Sequence, residues 1–182
     1  MYFTTAAALI ALAGLAAAAP TPTTKDNSTA TTYLTGVTHS VVAGRGGALV
    51  FDPENVVAEV GDIIEWHFLP KNHSVAQSSF GAPCVPQDDK AFFSGFQPVK
   101  EGQGADVFQL VVADKKPIWY YCAQTTGNHC QSGMAGVINQ NFDGPNTLAA
   151  YKAKAALTGT SVIPPVVQGG AVIANPNPNS GF

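Results

Sequence analysis

Trp119-Tyr120-Tyr121-Cys122-Ala123-Gln124-Thr125-Thr126-Gly127-Asn128-His129-Cys130-Gln131-Ser132-Gly133-Met134 runs from an aromatic segment, through a polar loop, into a second apolar run. Pro117-Ile118-Trp119-Tyr120-Tyr121-Cys122 is β-branched and aromatic, follows Lys115-Lys116 and precedes Gly127-Asn128, so it reads as a strand. Met134-Ala135-Gly136-Val137-Ile138-Asn139 reads as the next one. Cys122 then ends one strand, Met134 begins another, and His129 lies on the connection, which gathers their side chains at one end of a β-structure. Upstream, Asp62-Ile63-Ile64-Glu65-Trp66-His67-Phe68-Leu69 is another strand-like run. Pro70-Lys71 takes the chain out of it and aims His73, in Lys71-Asn72-His73-Ser74-Val75, at the same end.

The donors narrow the chemistry. Two imidazoles, one thiolate and a weak thioether are the ligand set of a blue-copper electron-transfer site. Zinc sites draw on Cys, His and carboxylate and make little use of Met. Iron–sulfur clusters mostly take four cysteines, and this chain has three. Cys122 is the strong donor in such a set, His73 and His129 are imidazole partners acceptable to both oxidation states, and Met134 is a long-range axial ligand that helps set the potential.

These residues resemble the cupredoxins, and among them the phytocyanins and the secreted serine-rich cupredoxin-like proteins of fungi. The resemblance rests on Val60-Gly61-Asp62, Asn72-His73-Ser74, Ser78-Ser79-Phe80 with Pro83-Cys84, Tyr121-Cys122, and His129-Cys130-Gln131-Ser132-Gly133-Met134. It spans residues 35–142. It implies an all-β Greek-key sandwich, one type 1 copper held by His73, Cys122, His129 and Met134, and outer-sphere electron transfer with a redox partner that the sequence does not identify. The spacer between Cys122 and His129, residues 123–128, is longer than in the phytocyanin pattern.

Three cysteines in an exported chain leave one unpaired, and a free thiol in an oxidising compartment is a liability. A metal ligand accounts for Cys122 and leaves Cys84 to pair with Cys130. Neighbouring side chains of an extended segment point to opposite sides, so a His129 that faces the metal turns Cys130 away from it. The competing pairing of Cys122 with Cys130 or Cys84 would destroy the copper site. Ser74 is a candidate hydrogen-bond partner for the Cys122 loop, with an ordinary turn hydroxyl as the alternative. Asn27-Ser28-Thr29 and Asn72-His73-Ser74 are glycosylation sequons. The Asn27 site lies in an accessible segment, whereas a glycan on Asn72 would crowd the metal mouth. His39 and His67 fall within strand runs and read as structural or surface residues, and Trp66, Trp119, Tyr120 and Tyr121 as packing residues.

The rest of the chain fits export. Ala6 to Ala19 is uncharged, rich in Ala and Leu, and ends on small residues, so 1–19 reads as a signal peptide. The run is too short for a confident membrane span, and the Thr/Pro-rich residues 20–34 read as a flexible segment. Alanine-rich 143–159 predicts one short helix, with Asn146 or Thr147 as N-cap and Gly159 as stop. The Pro-, Gly- and Asn-rich residues 160–182 read as a flexible tail. A net charge of −3, with 12% charged residues, gives no reason to expect nucleic acid or an anionic membrane as partner. Multicopper oxidases and copper nitrite reductases use many histidines, often as His-x-His pairs. This chain has four histidines and no such pair, so the expectation is a monomeric, extracellular or wall-associated electron carrier and not an enzyme. The competing reading is a copper-sequestering protein or a metal-free surface domain.

Overall fold

Eleven strands and one helix make up the fold in the computed structural model, which describes residues 36–182 together with Met1. The expected signal peptide, the 20–34 segment and the Asn27 sequon lie outside the described residues. In chain order the strands are β1 (Thr38–Ala43), β2 (Phe51–Asp52), β3 (Asn55–Val56), β4 (Ile63–Phe68), β5 (Lys71–His73) and β6 (Ala76–Ser78). They continue with β7 (Gln97–Val99), β8 (Asp106–Val111), β9 (Ile118–Tyr121), β10 (Ala135–Ile138) and, after helix α1 (Leu148–Ala155), β11 (Ala171–Ala174). One sheet has the order β11-β8-β4-β1-β2 and the other β3-β10-β9-β6, while β5 and β7 form a separate ribbon. The parallel pairs β1·β4 and β3·β10 make both sheets mixed. This is the all-β sandwich with one helix that the sequence predicts.

Alternation along the strands builds the core. On β4, Ile64, Trp66 and Phe68 point inward and meet Tyr120 of β9 and Ile138 of β10 from the opposite sheet. The Trp66 and Tyr120 rings meet edge-on at 5.2 Å. Glu65 and His67 take the other face of β4, where they bond each other at 2.8 Å and are both buried. His39 is likewise tied to a carboxylate, Asp62, at 2.7 Å. A second apolar cluster lies outside the smaller sheet, where α1 packs Tyr151 and Ala155 against Trp119, Tyr121 and Val137. Trp119 and Tyr151 stack with centroids 5.3 Å apart and planes 8° from parallel. Thr147 caps α1 by accepting a hydrogen bond from the Ala150 amide at 3.2 Å.

Two segments differ from the sequence reading. Gln97–Val99, inside the expected loop 87–104, is β7, and it pairs with a β5 that contains His73. Residues 160–182, expected as a flexible tail, dock against the sandwich. Val162 N–H donates to Cys84 O at 2.9 Å, Gln168 pairs with Phe93, and β11 adds antiparallel to β8. Composition hides this docking because the segment is rich in Pro, Gly and Asn. Gly169 and Gly170 are what let it approach, since a Cβ on either would run into Phe92 or Phe108. Among the described residues no helix is long and apolar enough to cross a membrane.

Candidate metal centre

Cys122 directly follows β9, and its amide donates to the Met134 carbonyl at 3.0 Å, so the loop between them is closed at its base. The Met134 amide donates to His129 O at 2.9 Å, and the His129 amide to Gln124 O at 3.2 Å. Gly127 and Gly133 take positive φ, at 84° and 96°, in a loop that must turn tightly enough to bring His129 back over Cys122. The insertion at 123–128 therefore does not prevent convergence: Nδ1 of His129 lies 3.3 Å from Sγ of Cys122.

His73 arrives from the other side. Strand β5 ends on it, and its side chain has no exposed surface. One donor atom each from His73, Cys122 and His129 falls within a 4.8 Å cluster. The His73 and His129 rings are 5.1 Å apart. Nδ1 of His73 is buried without a hydrogen-bond partner, an arrangement that costs free energy unless something else takes up the lone pair. Nε2 faces the Pro70 carbonyl at 3.4 Å. Met134 is fully buried in the same apolar cluster as Cys122.

Electrostatics favour the ligand form of both imidazoles. Burial, followed by the neighbouring His129, lowers the His73 pKa to about 4. Burial and then Lys71 lower that of His129. Each ring is thus held neutral, with a lone pair to offer. Burial pushes the Cys122 thiol up, so a metal must displace its proton on binding. Sulfur is not left bare, because the Ser74 amide approaches it at 3.3 Å and the Ser74 hydroxyl at 3.8 Å. That hydroxyl also accepts from the Ala123 amide at 2.9 Å. Ser74 thereby stitches the His73 segment to the Cys122 segment, which gives the candidate partner a definite position. A buried orphan nitrogen, a buried thiol and a second neutral imidazole at this spacing fit copper, whose thiolate and imidazole preferences they match.

Cys84 and Cys130 form a disulfide with S–S 2.04 Å, and Cys122 is the free cysteine. Asn72, next to His73, is half-buried, and its sequon hydroxyl is the buried Ser74 oxygen already engaged with Ala123. Sequence reading missed Gly44 and Ser94. Gly44 backs directly onto the His73 ring. Ser94 Oγ accepts from the Val75 amide at 2.8 Å and holds the strand-like segment just after His73. Gly44-Arg45-Gly46-Gly47 reads only as a turn, and nothing in the sequence links that turn, or a loop serine, to a histidine far along the chain.

Two proteins of Arthroderma benhamiae are similar in sequence. An extracellular serine-rich protein is 36% identical over 136 residues, 74% of this chain, and the chain spans about half (51%) of that relative. A probable GPI-anchored cupredoxin is 34% identical over 162 residues, 89% of this chain and 73% of the relative. Among solved structures, pseudoazurin from Hyphomicrobium denitrificans aligns at TM-score 0.41 and 17% identity over 68% of this chain and all of its own. Auracyanin A, a blue copper protein of Chloroflexus aurantiacus, aligns at TM-score 0.39 and 15% identity over 56% of this chain and 96% of its own. No protein-family model matches the chain.

Proposed function

The chain belongs to the cupredoxin family, and on that premise we propose that it is a secreted, one-copper electron carrier with His73, Cys122, His129 and Met134 as ligands. The observation that carries this reading is the buried meeting of His73, Cys122 and His129, with the His73 Nδ1 lone pair unclaimed. When bound there, copper supplies a one-electron couple between Cu(II) and Cu(I). The chain supplies the rest. The disulfide beside His129 and the Ser74 bridge hold the donors at nearly fixed positions, so little rearrangement accompanies a change of charge. Hydrogen bonds from the Ser74 segment to the Cys122 sulfur tune its donor strength. The apolar cluster around Cys122 and Met134 excludes water from the buried side. His129 is 4% exposed where His73 is fully covered, which makes His129 the short route between the centre and a partner.

Carriage of electrons rather than catalysis fits a cluster with no second group of histidines beside it. Of the remaining two histidines, His39 is held by Asp62 and His67 by Glu65. Export is supported by the names of the relatives, one extracellular and one GPI-anchored. The test is a Cu(II) titration of the mature protein followed by visible absorption. An intense blue band saturating at one copper per chain is expected, and Cys122→Ser should abolish it while leaving the Cys84–Cys130 disulfide intact. A Cys122→Ser protein that stayed blue would overturn the assignment.

A further inference from the structure

Residues 44–50, 69–73 and 123–134 contribute to the end of the sandwich that holds the cluster. Apart from the histidines, the only charged side chains in them are Arg45 and Lys71, and none contains Asp or Glu. Arg45 is paired with Asp52. Lys71 has no carboxylate partner among the described residues. Its Nζ donates instead to the Gly47 carbonyl at 2.6 Å, which pins an exposed ammonium on the rim. Lys100 and Glu101 also reach this end, because they follow Val99, which pairs with Lys71, and Asp106 opens β8 next to them. The opposite end carries Glu59, Asp62 and Asp114, in the connections that lead into β4 and out of β8. A chain of formal net charge −3 thus presents at its metal end, in Lys71, an exposed cation fixed on a backbone carbonyl and not on a carboxylate.

Two further features locate what that cation faces. Lys71, Asn72, Gln124, Thr126 and His129 line a depression of about 220 Å³, small, polar and floored by the ligand nearest to solvent. Lys71 also holds φ 109°, a backbone conformation that glycine adopts freely and lysine does not. A lysine kept there against its backbone preference points to a use for its charge.

We propose that this face docks a redox partner through an anionic group. A carboxylate on the partner enters the depression opposite Lys71, takes hydrogen bonds from the Asn72, Gln124 and Thr126 side chains, and brings the partner's redox group over His129. One electron passes between that group and the centre, and no bond is made or broken. The inference rests on the copper reading above and adds to it the sign of the partner's surface. It follows from charge complementarity, which acts mainly on the rate of encounter.

The test uses the copper-loaded, reduced protein and follows the return of blue colour in stopped flow. Hexacyanoferrate(III) serves as the anionic oxidant and tris(phenanthroline)cobalt(III) as the cationic one, each over a series of ionic strengths. The hexacyanoferrate rate should fall as salt rises. Lys71→Glu should lower it several-fold further and raise the cobalt rate. Lys116→Glu makes the same charge change near the start of β9, at the far end, and should alter both rates much less. Should Lys71→Glu shift the blue spectrum, Lys71→Gln and the salt series of the unaltered protein decide the matter. Equal effects of Lys71→Glu and Lys116→Glu, or a hexacyanoferrate rate indifferent to salt, would overturn the proposal while leaving the copper centre standing. A protein that never turns blue would instead overturn the copper reading on which the proposal rests.

Discussion

A Cβ placed on Gly44 would lie 2.5 Å from Nε2 of His73, and the residue sits at φ +91°. Both facts ask for glycine, one by space and one by backbone conformation. Gly44→Ala should push the His73 ring off its position while the two sheets stay folded. The expected outcome is a shifted or weakened blue band and copper affinity lowered about 10- to 100-fold, the usual cost of disturbing the support of a ligand. Circular dichroism unchanged beside an altered copper titration would mark the effect as local. His73 also makes stability depend on pH. Its folded pKa, about 4, lies below the ordinary histidine value of 6.5, so the unfolded chain takes up a proton before the folded one does. The contribution is fully present above pH 6.5 and is lost as pH falls towards 4, at about 1.4 kcal/mol per pH unit from this group. Urea unfolding of the metal-free protein at pH 7, 5.5 and 4.5 should show it, and His73→Asn should flatten the trend. The four proposed ligands were legible in the sequence because donor chemistry belongs to the side chain itself. The room that Gly44 leaves was not, because it is a property of two segments meeting.

The strand–loop–strand unit around Cys122 carried its own signals: β-branched and aromatic residues for β9 and β10, and Gly-Asn and Ser-Gly turns between them. Helix α1 announced itself by its cap and its alanines. The docked segment 160–182 did not. The four residues of β11 are all exposed, so no buried face imposes a period on them, and the strand exists because the β8 edge offers hydrogen bonds. Its approach depends on Gly170, where a Cβ would collide with the Phe108 ring and the Gln109 carbonyl. Gly170→Val should either strain that contact or strip β11 from β8. The expected cost is about 1–3 kcal/mol, read as a lower urea midpoint with the copper spectrum unchanged, since the contact is remote from the ligand loops. A similar masking applies to β5 and β7, three residues each and too short to show alternation.

Among the described residues of the whole molecule there are two apolar clusters, one between the sheets and one between the smaller sheet and α1, with the disulfide in the second. Cys84–Cys130 closes a span of 46 residues and fastens the ligand loop to the segment after β6. In the chain-entropy description such a closure contributes about 4 kcal/mol. The Cys84→Ala/Cys130→Ala double variant should lose about that much in urea unfolding of the metal-free protein. Bound copper should stabilise parent and variant alike, because a ligand that prefers the folded state stabilises it by mass action, and the variant by less if the bridge helps to place the ligand loop. An equal loss with and without copper would show that the ligand loop holds its place without the bridge.

What the chain reveals in one dimension is chemical identity and local period. The thiol, imidazoles and thioether, the odd cysteine, the alternating strands and the capped helix all follow from side-chain chemistry and from backbone repeats of a few residues. Contact between distant segments was decided only in three dimensions. The Ser74 stitch to Ala123, the press of Gly44 on His73, the seating of residues 160–182 on Phe92 and Phe108, and the depression between Lys71 and His129 each join segments far apart in sequence. Their energies come from shape and distance, and no residue carries those until the sheets have closed.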